Sequence, residues 1–299
     1  MTYSTPTEQD EALKLKASSA SPTPDSKSNP TASPTSDLQY VERINRTLDD
    51  AETTLREAED VGGLQGEAPC GVAQKLSVAI VIPAFNERDT IAAIVERVRQ
   101  IGIHDEIVIV DDYSTDGTRD VLLELAKADD VRIEMHGYNR GKGAALRTGF
   151  RCVQSDVVMI QDADLEYDPS DLPGLLEPIA RGEADVVYGS RFLGNPHQDP
   201  SRLHRFGNWL LTTASNLATG QRLTDMETCY KAFRRTVLDQ IDLEQERFGF
   251  EPEITAKVSR LGYKILELPI SYNSRGYEEG KKIGVRDAIN AFWCIARYR

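Results

Sequence analysis

The chain has 299 residues, of which 40% are hydrophobic, and a formal net charge of −13. That length suffices for one large domain or two small ones around a sizeable core. The acidic balance excludes a general nucleic-acid binder, which needs a broad basic face against the phosphate backbone, and no apolar run reaches the roughly 18 residues of a membrane-spanning helix.

The N-terminal stretch MTYSTPTEQDEALK has neither the basic nor the apolar region of a secretory signal. Residues 17–36 contain 14 Ser, Thr and Pro, and residues 1–36 are expected to form a disordered tail. Residues 37–75 read as a charged amphipathic helix and a Gly-rich linker. Asp37 is the expected N-cap, and Leu38, Val41, Ile44, Leu48 and Leu55 recur at near-helical spacing.

The main domain is expected over residues 76–284. SVAIVIPAFNE reads as a strand over 77–82 broken by Pro83, followed by a helix ending at Gly102. EIVIVDDYSTDGT reads as a second strand over 106–110 that runs into Asp111 and Asp112. A helix, the strand VRIEMH and a Gly-opened helix, GKGAALRTGFRCV, come next. VVMI, residues 157–160, is a fourth buried strand that breaks into the acidic cluster Asp162, Asp164, Glu166 and Asp168. A helix and a fifth strand, ADVVYGSR, complete an alternation that predicts an α/β fold with a doubly wound, mostly parallel sheet. Beyond residue 200 the pattern is a helix, an irregular then helical stretch (DMETCYKAFRRTVLDQI), another helix and the strand YKILELPISYN. Residues 285–299 read as a C-terminal amphipathic helix. The last 29 residues carry six basic and three acidic side chains, a local reversal of the chain's charge.

In such sheets a ligand binds beyond the carboxyl ends of the strands. Pro83, Asp111, Asp112, Asp162, Asp164 and Arg191 all fall there. Two carboxylates at i and i+2 past a strand end suit a hard cation such as Mg²⁺ or Mn²⁺; the competing reading is a solvated acidic loop. No G-x-G-x-x-G follows the first strand, and Gly137 to Lys142 has three residues between its glycines where a P-loop has four. The four cysteines, Cys70, Cys152, Cys229 and Cys294, show no C-x-x-C spacing. Zinc is not expected, and three of them read as reduced, packed thiols, as in a cytosolic compartment.

Six stretches in order carry a resemblance: IPAFNE at 82–87, VDDYSTDGT at 110–118, NRGKGAALRTGF at 139–150, QDADLEYDP at 161–169, GSRF at 189–192, and CYKAF, GYKILELPISY and SRGYEEGKKIG within 229–284. The chain resembles the family 2 glycosyltransferases of GT-A fold, in particular the dolichyl- or polyprenyl-phosphate mannosyl- and glucosyltransferases. The resemblance implies that Pro83, Phe85, Glu87, Val110 and Asp112 line a nucleoside pocket. It implies that Asp162, Ala163 and Asp164 form a D-x-D holding Mg²⁺ or Mn²⁺ and the donor diphosphate, and that Arg191 reaches phosphate or sugar. Arg205, Lys231, Arg275 and Lys282 would form a cationic set for the acceptor phosphate, with Asp164, Arg191 and Lys231 closest to the chemistry. Phe85 reads equally as core, Asp112 as a turn cap, and Arg205 and Lys231 as surface charges. Lys142 reads either as a nucleotide contact or as a solvent-facing lysine at a helix start.

The implied reaction is inverting transfer of a hexose from GDP-mannose or UDP-glucose to a polyprenyl or dolichyl phosphate. A phosphate acceptor is already mostly anionic near neutral pH; a hydroxyl acceptor, as in cell-envelope glycan synthesis, needs a carboxylate base, for which Asp225 and Glu227 are the candidates. A nucleotide-sugar-binding scaffold without turnover is the non-enzymatic alternative. The expected partners are a nucleotide sugar, the lipid phosphate, a membrane surface met from the cytosolic side and a membrane-anchoring protein. Ile289, Phe292 and Trp293 would enter the headgroup region while Arg286, Arg297 and Arg299 meet anionic lipid; the alternative is a last helix packed on the domain.

Overall fold

The computed structural model describes residues 76–193, 202–273 and 285–299. The expected tail at 1–36, the helix and linker at 37–75, and Arg275 and Lys282 lie outside the described residues.

In chain order the elements are β1 (Val78–Ala84), α1 (Ile91–Ile101), β2 (Glu106–Asp111), α2 (Thr118–Leu125), β3 (Val131–Met135), α3 (Lys142–Cys152), β4 (Val157–Ile160), α4 (Leu172–Ala180), β5 (Val186–Ser190), α5 (Arg202–Thr219), β6 (Lys231–Arg234), α6 (Arg235–Leu238), α7 (Phe250–Arg260), β7 (Ile265–Pro269) and α8 (Val285–Tyr298). They build a seven-stranded sheet of order β3-β2-β1-β4-β6-β5-β7. Every neighbouring pair is parallel except β4–β6 and β5–β6, where β6 runs the other way. The expected α/β, mostly parallel architecture is therefore present, with one reversed strand in its middle.

Five consecutive β1 residues, Val78 to Ile82, are all buried, as are Val157 to Ile160 in β4. Strands covered on both faces have no reason to alternate polar and apolar side chains, which is why they read as continuous apolar runs. Helix α3 lies on β1 and β2. Its approach is close: a Cβ at Gly149 would stand 2.4 Å from Val81 Cγ1, so glycine is required at that contact. Helices α5, α7 and α8 pack on one another.

The strand does not break at Pro83. β1 continues to Ala84, pairing Pro83 with Val110 and Ala84 with Asp111 of β2. On the other side β4 pairs only as far as Val81, whose carbonyl accepts from Gln161 N–H at 3.0 Å. Backbone polar groups alternate sides along a strand, so the N–H that proline lacks would point where β4 has already ended. The stretch DMETCYKAFRRTVL also differs from expectation. It is irregular to Tyr230, then forms β6, and only then the short helix α6. The reversed strand starts at the carboxyl edge of its parallel neighbours, with Lys231 opposite Tyr188 and Ala232 opposite Met159. Residues 225–231 are thereby delivered to the same edge as the D-x-D.

Candidate active site

The first wall of the site is built from loops that hold one another. Asn86 adopts a left-handed backbone with φ 56°. Its N–H donates to Ser114 Oγ, and its side-chain oxygen accepts from Thr115 N–H, both at 2.9 Å. Glu87 N–H donates to Thr118 Oγ1 at 2.9 Å. Pro83, Phe85 and Glu87 are half-buried along this wall, as a ligand-lining role requires. Val110 is not: it is fully buried in the hydrophobic core. It supports the wall from beneath and has no surface to offer a nucleoside, a correction to the role implied for it.

Asp112 is 3% exposed and fully engaged. Its Oδ1 accepts from Arg140 N–H and faces His136 Nδ1, each at 2.8 Å; its Oδ2 accepts from Gly141 N–H at 2.6 Å. It therefore does more than close its own turn; the cap at the start of α2 is made by Asp116, which accepts from Thr118. Asp112 ties β2 to the loop that opens α3. That loop is clasped from the other side by residues 245–247. A Cβ on Gly141 would meet Glu246 O at 2.4 Å, and one on Gly143 would meet Gln245 O at 2.6 Å. The backbone on both sides of Lys142 is thus fixed.

The second wall is the D-x-D turn after β4. Gln161 is fully buried, accepts from Tyr230 O–H at 2.6 Å and donates to Asp162 O at 2.9 Å. Leu165 has a left-handed φ of 60°, and Asp164 Oδ1 accepts from Glu166 N–H at 3.2 Å, closing a tight turn. Asp162 and Asp164 both keep partial exposure, whereas Ala163 between them is buried. Asp168 caps the next turn by accepting from Ser170 N–H. It is a local structural charge.

Residues that the sequence reading placed loosely, or missed, fill the floor. Lys142 does not face solvent. Its Nζ lies 2.9 Å from Asp162 Oδ1 and 3.8 Å from Glu251 Oε1, and its side chain is 24% exposed. Burial is the largest single influence and pulls the lysine pKa down, but the negative groups around it, Asp162 foremost and Glu251 among them, together outweigh it, and the net shift is well upward. Glu251, at the start of α7, was absent from the candidate list; it is 4% exposed, and its Oε2 has no hydrogen-bond partner. A sequence signal existed: two glutamates in FEPEI, set among apolar residues where an exposed helix start would be mixed.

Lys231 is 1% exposed, which excludes both an ordinary surface charge and a solvent-side receiver of phosphate. Its Nζ donates to the carbonyls of Met226 and Thr228 and lies 4.6 Å from the Tyr188 ring centroid. Burial lowers its pKa, opposed by the charge of Glu251. Glu227 has a buried, unpartnered Oε1. Burial first and the Glu251 charge second push its pKa up to about 8. Cys229 is buried, with its pKa raised by burial and then by Asp162.

Arg191, at the end of β5, is locked to Asp225 by two bonds, Nε to Oδ2 at 2.6 Å and Nη2 to Oδ1 at 2.7 Å. Its guanidinium also lies over the Tyr272 ring at 5.3 Å. Asp225 is fully buried in this pair, so it is spent as a general base. Arg205 sits half-buried on α5.

Among the described residues no three His, Cys, Asp or Glu side chains converge into a protein-only metal cage. Mg²⁺ and Mn²⁺ do not need one: a seat of one or two carboxylates completed by water and substrate phosphates is their common mode beside nucleotides. The donor set fits that mode. Asp162 and Asp164 offer hard oxygens at the lip of the sheet, and Asp162 already binds a cation in the form of the Lys142 ammonium.

Comparison with known proteins gives the family. The Glycosyl transferase family 2 model matches residues 79–242. An undecaprenyl-phosphate mannosyltransferase of Micrococcus luteus is 32% identical over 217 residues, 70% of this chain and 88% of that one. A polyprenol monophosphomannose synthase of Mycolicibacterium smegmatis is 33% identical over 239 residues, 75% and 88% of the two chains. Among solved structures, glucosyl-3-phosphoglycerate synthase from Mycobacterium tuberculosis with uridine diphosphate superposes with a TM-score of 0.61 at 19% identity, over 79% of this chain and 86% of that one, a likeness of fold. The chain belongs to glycosyl transferase family 2 and is a glycosyltransferase.

Proposed function

We propose that this enzyme moves a hexose from a nucleotide sugar, GDP-mannose or UDP-glucose, to a polyprenyl or dolichyl phosphate with inversion at the anomeric carbon. The match to two relatives named for lipid-phosphate mannosyl transfer, each over 70% or more of this chain, carries the reading and favours mannose. The site chemistry supports it. A phosphate monoester, with a second pKa of about 6, is an anionic nucleophile at neutral pH. Its oxygen bonds to the anomeric carbon as the bond to the donor diphosphate breaks, and no proton need be removed. The protein's task is positioning and charge stabilisation. Pro83, Phe85 and Glu87 line the donor side. Asp162 and Asp164 hold a divalent cation, which when bound supplies charge neutralisation to the leaving diphosphate. Arg191, fixed by Asp225, presents the rim toward the sugar and acceptor. Replacing Asp164 by Ala is expected to abolish both hexose transfer and Mn²⁺-dependent nucleotide binding; full activity in that variant contradicts the D-x-D assignment.

The reading with a hydroxyl acceptor has one observation behind it, the unpartnered buried oxygen of Glu251. Glu227 serves it poorly, because burial and the Glu251 charge push its pKa up to about 8, which favours the protonated form, and that form cannot accept a proton. The raised pKa has its own consequence. Between the ordinary glutamate pKa near 4.3 and about 8, the folded state holds a proton that the unfolded state releases, so this group's contribution makes stability fall as pH rises through that window. Glu227→Gln is expected to flatten that fall and to unfold at a higher temperature than the parent at pH 9. A parallel shift at pH 5 and pH 9 contradicts the assignment.

Access to a lipid acceptor assigns a role to two helices. The last helix packs on the domain along one face and leaves another open. It buries Ala291, Cys294, Ile295 and Tyr298 and leaves Ile289, Phe292 and Trp293 exposed. Helix α5, which packs against it, exposes Phe206, Trp209, Leu210 and Leu217. Among the described residues no helix is long and apolar enough to cross a membrane. These aromatic faces, with Arg297 and Arg299 beside them, suit the headgroup layer of an anionic bilayer on its cytosolic side, where a membrane-anchoring protein would add to the attachment. The full chain is expected to float with vesicles containing phosphatidylglycerol, and Trp209→Ser with Trp293→Ser to sediment apart from them; vesicles that leave the parent protein behind contradict this docking.

A further inference from the structure

Lys142 is held as if its position were the point. Asp112 binds the N–H groups of Arg140 and Gly141, and the chain at 245–247 leaves no room for a side chain on either flanking glycine. From that fixed backbone the ammonium reaches both oxygens of one carboxylate, Asp162 Oδ1 at 2.9 Å and Oδ2 at 3.1 Å. Facing both oxygens of a D-x-D carboxylate is the place of a cation. A second carboxylate stands within reach: Glu251 Oε1 is 3.8 Å from the same Nζ, and Glu251 Oε2 is buried with no hydrogen-bond partner. Lys231, which is buried, is turned to the carbonyls of Met226 and Thr228.

We propose that Lys142 is a resident surrogate for the divalent cation: it holds Asp162 in the metal-free enzyme and passes to Glu251 when the cation takes Asp162. This rests on the reading of Asp162 and Asp164 as the cation seat. An ammonium and a divalent ion cannot both occupy the two oxygens of Asp162. An ammonium displaced into a part-buried space without a partner would oppose metal binding strongly. Glu251 gives it a destination that already lacks a hydrogen bond, so the exchange moves one positive charge between two carboxylates and leaves neither bare. The metal-free site is then neither collapsed nor self-repelling, and the cation competes with a group the chain carries itself. Because the competition is a binding linkage, whatever stabilises Lys142 on Glu251 tightens the cation by the same factor.

The test is Mn²⁺ binding without nucleotide, followed by the electron paramagnetic resonance of free Mn²⁺, on the full chain. Lys142→Met is expected to bind Mn²⁺ about fivefold more tightly than the parent, the effect of removing one part-buried ion pair, whereas Lys142→Arg, which keeps the charge, stays near the parent value. Glu251→Gln is expected to weaken binding more in the parent than in Lys142→Met, because only the parent has a lysine to rehouse. Should Lys142→Met fail to fold, Lys142→Gln carries the same expectation. Equal or weaker Mn²⁺ binding in the uncharged variant, with binding still lost in Asp162→Asn, overturns the surrogate role alone. Binding that survives unchanged in Asp162→Asn overturns the cation seat itself.

Discussion

β6 runs against both of its neighbours, and the site depends on that reversal. Parallel strands bring only their carboxyl ends to one edge. A reversed strand brings its amino end there as well, together with the loop that leads into it. Here that loop supplies Asp225, Glu227 and Cys229, and the strand's first residue is Lys231, all set between the end of β4, where the D-x-D turn begins, and the end of β5, where Arg191 stands. The tie from Tyr230 to Gln161 binds the start of β6 to the end of β4 at this edge, so the turn that presents Asp162 is positioned by the strand beside it.

Concentrating acids and bases at one edge raises a problem of charge. A buried ion stripped of its partner costs roughly 3–5 kcal/mol, and the fold resolves each case differently. Asp225 is neutralised by the two-pronged contact with Arg191. Glu227 is driven toward its protonated form by burial and by Glu251. Lys231 donates hydrogen bonds to backbone carbonyls and lies over a tyrosine face. Asp162 is held by Lys142, and Glu251 is left partly unsatisfied. Glu227 and Glu251 each keep one buried oxygen without a hydrogen-bond partner, and Lys142 stands between Asp162 and Glu251. That distribution suits an enzyme whose donor carries a diphosphate.

The alternation of apolar strands and helices made the α/β architecture legible, because strands covered on both faces advertise themselves as unbroken apolar runs. The D-x-D was legible too, since an abrupt change from VVMI to acids marks a strand end. β6 was not: four residues, KAFR, with a charge at each end, resemble neither a strand nor a helix, and the pairing that makes them a strand comes from residues 43 to 77 positions away. Missing it also hid the fate of Lys231, which looks like any surface lysine until its strand is placed in the middle of the sheet. Pro83 misled for a related reason, because a proline ends a strand only where a neighbour is waiting for its N–H. The pairing of Lys142 with Asp162 and the position of Glu251 depend on loops far apart in the chain meeting at the floor, which no local pattern specifies.

We propose that these elements serve transfer of a sugar to a lipid-borne phosphate. The most direct measurement is to incubate the full chain and Mn²⁺ with radiolabelled GDP-mannose or UDP-glucose, with and without polyprenyl phosphate, and to extract the lipid. The account predicts label in the organic phase that requires the polyprenyl phosphate. Label that enters only water-soluble glycan, and does so without any lipid phosphate, would contradict it.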